Sequence, residues 1–204
     1  MVDIEHSPHP GGRGGSMKLA ALFPGIGYTC DKPLMYYAGK LAAQAGYTVL
    51  SVNYGGFPRN IKGDPEKMRR AFEMACEQAE ALLGDVDWRA YADIAFIGKS
   101  IGTAVAARYA RMHGIPARLA LLTPLVETFD FTDGNAIAFH GTADPWAATD
   151  GIASACARQG IPLQLTQGAN HSLETGDVET DLRTLAETMD HLRRFLSNDR
   201  VTLL

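Results

Sequence analysis

ADIAFIGKSIGTAVAARY, residues 92–109, is the stretch of sequence that decides the fold class of this chain. Residues 94–97 form a short apolar run, which predicts a buried strand. Residues 101–112 are rich in alanine and predict a helix. Only residues 98–102 separate the two, so the stretch predicts a strand, a sharp turn and a helix in direct succession.

The turn itself, Gly98-Lys99-Ser100-Ile101-Gly102, has the pattern Gly-x-Ser-x-Gly. A serine at the tip of such a turn has an exposed Oγ, and the first N–H groups of the helix face any oxyanion that forms beside it. A side chain at either flanking glycine would collide with the neighbouring strand or helix. Ser100 is therefore a candidate nucleophile, although a plain helix N-cap serine in an ordinary turn has the same local sequence.

A phosphate-binding loop is the competing interpretation of Gly98-Lys99-Ser100. That motif needs a glycine five residues before Gly98, because its backbone must wrap a phosphate. Asp93 stands there instead, inside the predicted strand. The sequence thus excludes a nucleotide site of this kind.

Length and composition narrow the class of protein further. The chain has 204 residues, 46% of them hydrophobic, which suits one domain with its own core. A net charge of −4 gives no basic surface for nucleic acid or an anionic membrane. The three cysteines are widely spaced and odd in number, so we expect free thiols, a reducing compartment and a cytoplasmic location.

Residues 1–16 differ in composition from the rest of the chain. They hold two histidines and a Gly-Gly-Arg-Gly-Gly run but no apolar core, which is unlike a signal peptide. We expect a tag-like or disordered arm, with Met17 as the natural start and residues 17–204 as a single domain. No stretch reaches the roughly 18 apolar residues of a membrane-spanning helix.

From residue 17 onward, strand and helix patterns alternate, which predicts a mainly parallel sheet of about six strands with helices on both faces. The predicted strands are Lys18–Phe23, 48–54, 94–97, 119–122, 136–140 and Leu163–Thr166. The predicted helices are 34–45, 65–83, 101–112, Thr149–Gln159 and 180–196. The last helix is expected to bury a stripe made of Leu182, Leu185, Met189, Leu192 and Phe195.

A serine nucleophile needs a base and an acid that orients the base, and open α/β sheets place such groups where strands end. Asp144 follows the fifth predicted strand and His171 follows the sixth. Asp144 could instead cap the turn before Pro145, with Glu127 as the substitute acid, and His171 could be a solvated loop residue. The favoured set is Ser100, Asp144 and His171. We expect His140 to pack at a strand end.

The order Ser100, Asp144, His171 after three separate strands resembles the α/β-hydrolase superfamily, over residues 17 to about 196. The chain is similar to the compact, cap-less branch with dienelactone-hydrolase-like and small carboxylesterase-like proteins. The resemblance implies a minimal α/β-hydrolase fold without a cap domain, Ser100 as nucleophile, His171 as base and then acid, and Asp144 as the orienting carboxylate. It implies neither metal nor organic cofactor. Dienelactone hydrolases proper use cysteine, so their particular reaction is not implied.

The loop after the first strand, Pro24-Gly25-Ile26-Gly27, takes the place of the family's His-Gly-x oxyanion loop, with Pro24 where the histidine stands. The resemblance assigns the oxyanion-binding N–H groups to Ile26 and Ile101. Possible pocket residues are Tyr28, Lys99 and Trp146. For Lys99, a position over the sheet edge or an ion pair is the plainer interpretation, and carboxylate binding is the alternative.

These residues predict a serine hydrolase that cleaves a small ester or related activated acyl compound through an acyl-enzyme. Its expected partner is a small-molecule acyl substrate, with no nucleic acid and no membrane. A thioesterase or small peptidase could use the same three residues, and a non-catalytic binding module could keep the same fold. A pocket without a cap buries little substrate surface, so we expect short or partly exposed acyl groups.

Overall fold

A computed structural model of the chain describes residues 17–197. The predicted arm, residues 1–16, and the last seven residues lie outside the described part. One sheet of six strands, all parallel, runs in the order β2-β1-β3-β4-β5-β6. The strands are β1 (Lys18–Phe23), β2 (Thr48–Ser51), β3 (Asp93–Lys99), β4 (Arg118–Leu122), β5 (Ala136–Gly141) and β6 (Leu163–Thr166). The helices are α1 (Pro33–Gln44), α2 (Pro65–Leu83), α3 (Ile101–His113), α4 (Thr149–Gln159) and α5 (Val178–Leu196).

The predicted strand-turn-helix lies at the centre of this sheet. β3 pairs with β1 on one side and with β4 on the other, so Gly98 stands between Phe23 and Leu121. Strands covered on both faces are apolar at every position, as in 94–97. The parallel sheet of about six strands flanked by helices is confirmed.

The helices cover the sheet in two layers, each with its own core. α1 and α5 pack against Leu22, Ile97 and Phe139 on one face. α2, α3 and α4 pack against Phe23 and Phe96 on the other. Successive residues of a strand point to opposite faces, so Lys99 lies on the same face as Ile97, towards α1 and α5.

Two details of the sequence interpretation were wrong. The second strand was predicted over 48–54 but ends at Ser51, which pairs with Leu22. Val52 still donates its N–H to the carbonyl of Leu22 over 2.9 Å, but β1 ends at Phe23, so the ladder stops there. In place of a ladder, the Tyr54 hydroxyl donates a hydrogen bond to the carbonyl of Pro24.

The predicted buried stripe of α5 is confirmed at Leu192, which is fully buried, and wrong at Leu182. Leu182 is 62% exposed, and the buried positions of this helix are Thr184, Thr188, Leu192 and Leu196. Leu185, Met189 and Phe195 are only partly buried against the core. The reason is that the helix meets the sheet and α1 along its threonine side, while Leu182 faces a cavity described below.

Between β4 and β5 the chain makes one short 3-10 helix, Val126–Asp130. No cap domain is inserted over the carboxyl edge of the sheet between residues 17 and 197. Of the helices in this same range, none has both the length and the apolar character that crossing a bilayer requires.

Candidate active site

The turn between β3 and α3 forces Ser100 into a backbone conformation that non-glycine residues rarely adopt, with φ 56° and ψ −126°. A Cβ at Gly98 would lie 2.6 Å from the Cα of Thr103, and one at Gly102 would lie 2.0 Å from the carbonyl oxygen of Phe23. Both distances are shorter than any real contact. The expected collision of a side chain at either glycine with a neighbouring strand or helix is therefore confirmed, and the close packing holds Ser100 at the tip.

Three predicted site residues, each at the end of a different strand, bring their side chains together beside this turn. The hydroxyl of Ser100 donates to Nε2 of His171 over 2.7 Å. The Nδ1–H of His171 donates to Oδ2 of Asp144 over 2.6 Å. The two bonds together require the imidazole proton on Nδ1, which leaves Nε2 free to accept the serine proton.

The carboxylate of Asp144 is completely buried, and its second oxygen accepts the backbone N–H of Trp146 over 2.8 Å. Burial raises the pKa of Asp144, but the hydrogen bonds from His171 and Trp146 outweigh burial and bring the pKa below its ordinary value. Asp144 is therefore ionised at neutral pH, as the partner of a histidine base must be.

Burial is also the largest influence on His171, whose imidazole is 15% exposed. It lowers the pKa of His171 below 6.5, and the hydrogen bond to Asp144 opposes this effect only in part. The nearby charge of Lys99 lowers the pKa further. The imidazole is thus neutral at pH 7, the state in which it can take a proton from Ser100.

The loops that carry Asp144 and His171 are tied to each other. Gly168 donates its N–H to Oγ1 of Thr142 over 2.8 Å, and Ala143 donates to the carbonyl of Ala169 over 2.9 Å. The sequence analysis did not single out Thr142. Its place in the loop that ends in Asp144 was the available signal.

Asn170 is a second residue that the sequence analysis missed. Its Oδ1 accepts the N–H of Ser172 over 2.7 Å and that of Glu174 over 3.3 Å, so it shapes the turn that presents His171. An asparagine that bonds the backbone two residues later is a common turn device, and Asn-x-Ser was visible in the sequence.

The candidate oxyanion donors lie next to the nucleophile. Ile101 is the first residue of α3, whose N–H has no acceptor within the helix. Ile26 lies in a tight turn closed by two hydrogen bonds between Gly25 and Tyr28, of 3.0 and 3.2 Å. Across residues 17–197, neither N–H donates to another protein group, so both remain available to a bound oxygen.

Lys99 lies beneath the site, with only 1% of its surface exposed. Its Nζ is 4.8 Å from the ring centre of Tyr28, and it forms no ion pair with any residue in the described part of the chain. Burial lowers the pKa of Lys99 to about 7, against the opposing effects of the Asp144 and Glu174 charges. Because Lys99 is buried, its ammonium group cannot reach a ligand in this conformation.

The remaining candidate residues are Trp146, Glu127 and His140. The ring of Trp146 is 38% exposed and lies 5.7 Å from the ring of His171, centre to centre. Glu127 is exposed in the 3-10 helix and does not bond His171, which leaves Asp144 as its acid partner. His140 is fully buried with Nδ1 3.7 Å from Asp144, so it packs beneath the site as expected.

A metal-binding arrangement is missing from the part of the chain that the structure covers: no three histidine, cysteine, aspartate or glutamate side chains between residues 17 and 197 are grouped to hold an ion. The chemistry available at this site is that of a hydrogen-bonded serine, histidine and carboxylate with backbone donors beside them.

Several solved structures share this architecture. A serine hydrolase without a lid from Xanthomonas campestris has 15% identity and a TM-score of 0.60, over 93% of this chain and 85% of that one. Est1E from Butyrivibrio proteoclasticus, with ferulic acid bound, has 13% identity and a TM-score of 0.66, over 90% of each chain. An esterase of Pyrococcus furiosus, Pf2001, has 16% identity and a TM-score of 0.62, over 90% of this chain and 84% of that one.

No protein-family model and no curated protein sequence matches the chain. Identities as low as these leave little of the sequence in common, so what the structural likeness shows is the fold. Together with the six parallel strands and the uncapped carboxyl edge, it shows that the chain has the α/β-hydrolase fold in its lid-less form.

Proposed function

We propose that this protein is a serine hydrolase that cleaves a small carboxylic ester or a similarly activated acyl compound. The observation that carries the proposal is the unbroken path of hydrogen bonds from Ser100 Oγ through His171 to Asp144, with bonds of 2.7 and 2.6 Å. A protein that only bound a ligand would have no use for a buried, ionised carboxylate that orients a neutral imidazole.

In the first half of the reaction, Oγ of Ser100 attacks the carbonyl carbon while Nε2 of His171 takes the hydroxyl proton. The new C–O bond pushes the carbonyl electrons onto oxygen, and the N–H groups of Ile26 and Ile101 hydrogen-bond this oxyanion. His171 is now an imidazolium, which the charge of Asp144 stabilises. It returns the proton to the leaving alcohol as the ester bond breaks, and an acyl-serine remains.

In the second half, a water molecule takes the place of the alcohol. His171 accepts its proton, the hydroxide adds to the acyl carbon, and the same two N–H groups receive the second oxyanion. Collapse of this intermediate breaks the bond to Ser100, and the proton passes from His171 back to Oγ. The acid product leaves, and the hydrogen bonds of the resting site are restored.

The preorganised N–H donors are expected to make the largest electrostatic contribution to lowering the reaction barrier. Loss of one oxyanion donor typically costs about 3 kcal/mol in barrier height. Ile101 is fixed by the start of α3, and Ile26 by the closed turn between Gly25 and Tyr28. Neither donor must reorganise as charge develops.

An ester is favoured over a thioester or an amide because one of the structurally similar proteins, Pf2001, is an esterase. The site also suits a small substrate, since residues 17–197 place no further layer over it that could bury a long one. Parallel assays with p-nitrophenyl esters, acyl thioesters and short peptide anilides separate these three substrate classes.

The decisive experiment measures labelling by a fluorophosphonate probe and hydrolysis of p-nitrophenyl acetate and butyrate. We expect the wild-type protein to be labelled and active, and the Ser100→Ala protein to be neither. Ser154→Ala is the matched control, because Ser154 is an exposed serine of α4, away from the site. Equal labelling of the wild-type and Ser100→Ala proteins would remove Ser100 from its role. Ligand binding without turnover in both would favour a binding module.

A further inference from the structure

A cavity of about 150 Å³ lies beside the candidate nucleophile, between the first turns of α1 and α5. Its walls are mainly apolar, and Leu182 stands at its open side with 62% of its surface exposed. The hydrolytic mechanism described above makes no use of this cavity. The lining residues that matter to the argument are Tyr28, Leu34, Leu173, Glu174, Leu182 and Leu185.

Two residues in the wall of the cavity adjoin the candidate site. Ser172, in its wall, directly follows His171 along the chain. Tyr28, in the opposite wall, adjoins the nucleophile through Gly25: a Cβ built there would lie 3.2 Å from the Cβ of Ser100 and 3.5 Å from that of Tyr28. The cavity therefore shares its walls with the turn that contains Ile26 and with the turn that presents His171.

The polar groups of the cavity are acidic. Asp181 is held by the N–H of Thr175 at 2.6 Å, its hydroxyl at 2.8 Å and the N–H of Gly176 at 3.3 Å. The carboxylate of Glu174 makes no hydrogen bond or ion pair with the part of the chain that the structure describes. An anionic substituent would be repelled by both carboxylates, while an apolar one would replace water on the leucine side chains.

We infer that this cavity is a substrate subsite for an uncharged apolar group of about four to six carbon atoms, since a cavity of about 150 Å³ holds a benzene ring. The inference rests on the proposed function, because it assigns a place to one part of the ester. The apolar group belongs to the acyl side or to the alcohol side of the substrate, and the two sources are separated by the assay.

The test compares two ester series at pH 8: p-nitrophenyl esters from acetyl to hexanoyl, and acetate esters of alcohols from methyl to hexyl. Each buried methylene is expected to raise kcat/KM about fourfold, so butyryl should exceed acetyl by about 15-fold if the acyl group enters. The series that shows this increase identifies the side of the ester that occupies the cavity.

Leu182→Trp fills the open side of the cavity from an exposed position that contributes little to the core. Its expected effect is to abolish the increase with chain length, so that the butyryl and hexanoyl esters react no faster than the acetyl ester. Glu187→Trp is the matched control, because Glu187 is exposed on α5 and does not line the cavity. Identical chain-length profiles for Leu182→Trp and Glu187→Trp in both series overturn the subsite.

A second arm tests the charge preference. The charged ester is chosen on the side that shows the increase: p-nitrophenyl hydrogen succinate against the butyrate for the acyl side, or 4-acetoxybutanoate against butyl acetate for the alcohol side. The enzyme-catalysed reaction of the charged ester should be about tenfold slower than that of its uncharged counterpart, and Glu174→Gln should narrow this gap. Equal rates for the two esters contradict the assignment to uncharged groups. Failure of the wild-type protein to be labelled or to hydrolyse any ester would reject the proposed function together with the subsite. A labelled, active enzyme with unchanged profiles would reject the subsite alone.

Discussion

Replacing Lys99 with methionine should make the protein more stable at acidic pH and change the pH dependence of its stability. Lys99 is 1% exposed; its ammonium group lies over the ring of Tyr28, and the charges of Asp144 and Glu174 offset its burial only in part. Burial lowers its pKa from 10.5 to about 7. At about 1.36 kcal/mol per pKa unit, the penalty for burying the charged form is about 5 kcal/mol at most.

The direction in which the free energy of unfolding changes with pH depends on whether the folded or the unfolded protein holds the Lys99 proton. Below pH 7 both the folded and the unfolded protein carry the ammonium, so the folded state bears the full penalty. Between about pH 7 and 10.5 the unfolded chain keeps the proton while the folded protein has lost it, and the free energy of unfolding rises with pH. From pH 6 to pH 9 this rise amounts to about 3 kcal/mol.

Methionine has a similar shape and no charge, so Lys99→Met removes both the penalty and its pH dependence. The loss of the contact with Tyr28 costs about 1 kcal/mol or less. We therefore expect the variant to unfold at higher urea than the wild type at pH 6, with the difference shrinking by about 3 kcal/mol at pH 9. Groups that do not interact with Lys99 titrate alike in both proteins, so their contributions cancel in the difference.

The assay is urea denaturation followed by far-UV circular dichroism at pH 6, 7, 8 and 9. Lys40→Met serves as the control, because Lys40 is exposed on α1 and should give a curve parallel to that of the wild type. A stability difference between Lys99→Met and wild type that is the same at pH 6 and pH 9 would refute the reasoning, since the lysine would then carry the same charge in both states.

Three further predictions concern the hydrogen-bonded site. Because burial holds the pKa of His171 below 6.5, kcat/KM for a short ester should fall on acidification with a single midpoint below pH 6.5; a midpoint above pH 7 in a pH-rate profile contradicts the neutral imidazole. Asp144→Asn should lower kcat by about 10⁴-fold with the fold retained by circular dichroism, and a loss under tenfold would mean that another acid orients His171. Gly141→Ala should reduce both activity and thermal stability, because the added Cβ would lie 2.2 Å from the carbonyl oxygen of Ala169 and force the two site loops apart; an unchanged melting temperature and kcat would show that the loops can yield.

Local sequence was enough to predict most of the elements. Asp64 followed by Pro65 marks the start of α2, and the Asp64 side chain does accept the N–H of Lys67, at 3.1 Å. Gly160 closes α4 in the left-handed conformation. These signals act through neighbouring residues alone, so they need no knowledge of the rest of the fold.

The errors fall where distant parts of the chain decide the outcome. The length of β2 depends on where β1 ends. Leu182 was predicted to be buried because its spacing from the other apolar residues of α5 matches the helical repeat, yet it is exposed. The hydrophobic period predicts which face of a helix is apolar, but it does not show how far the neighbouring layer extends to cover that face.

The sequence by itself determined the parallel sheet, the tight turn at Ser100 and the choice of Asp144 and His171, because these follow from residue types, their spacing and their order along the chain. Only the tertiary structure decided the distances that join these three side chains, the burial of Lys99 and the cavity between α1 and α5. Hydrogen bonds, desolvation and empty space arise between segments far apart in the chain. They are set by how the layers pack, which no single stretch of residues encodes.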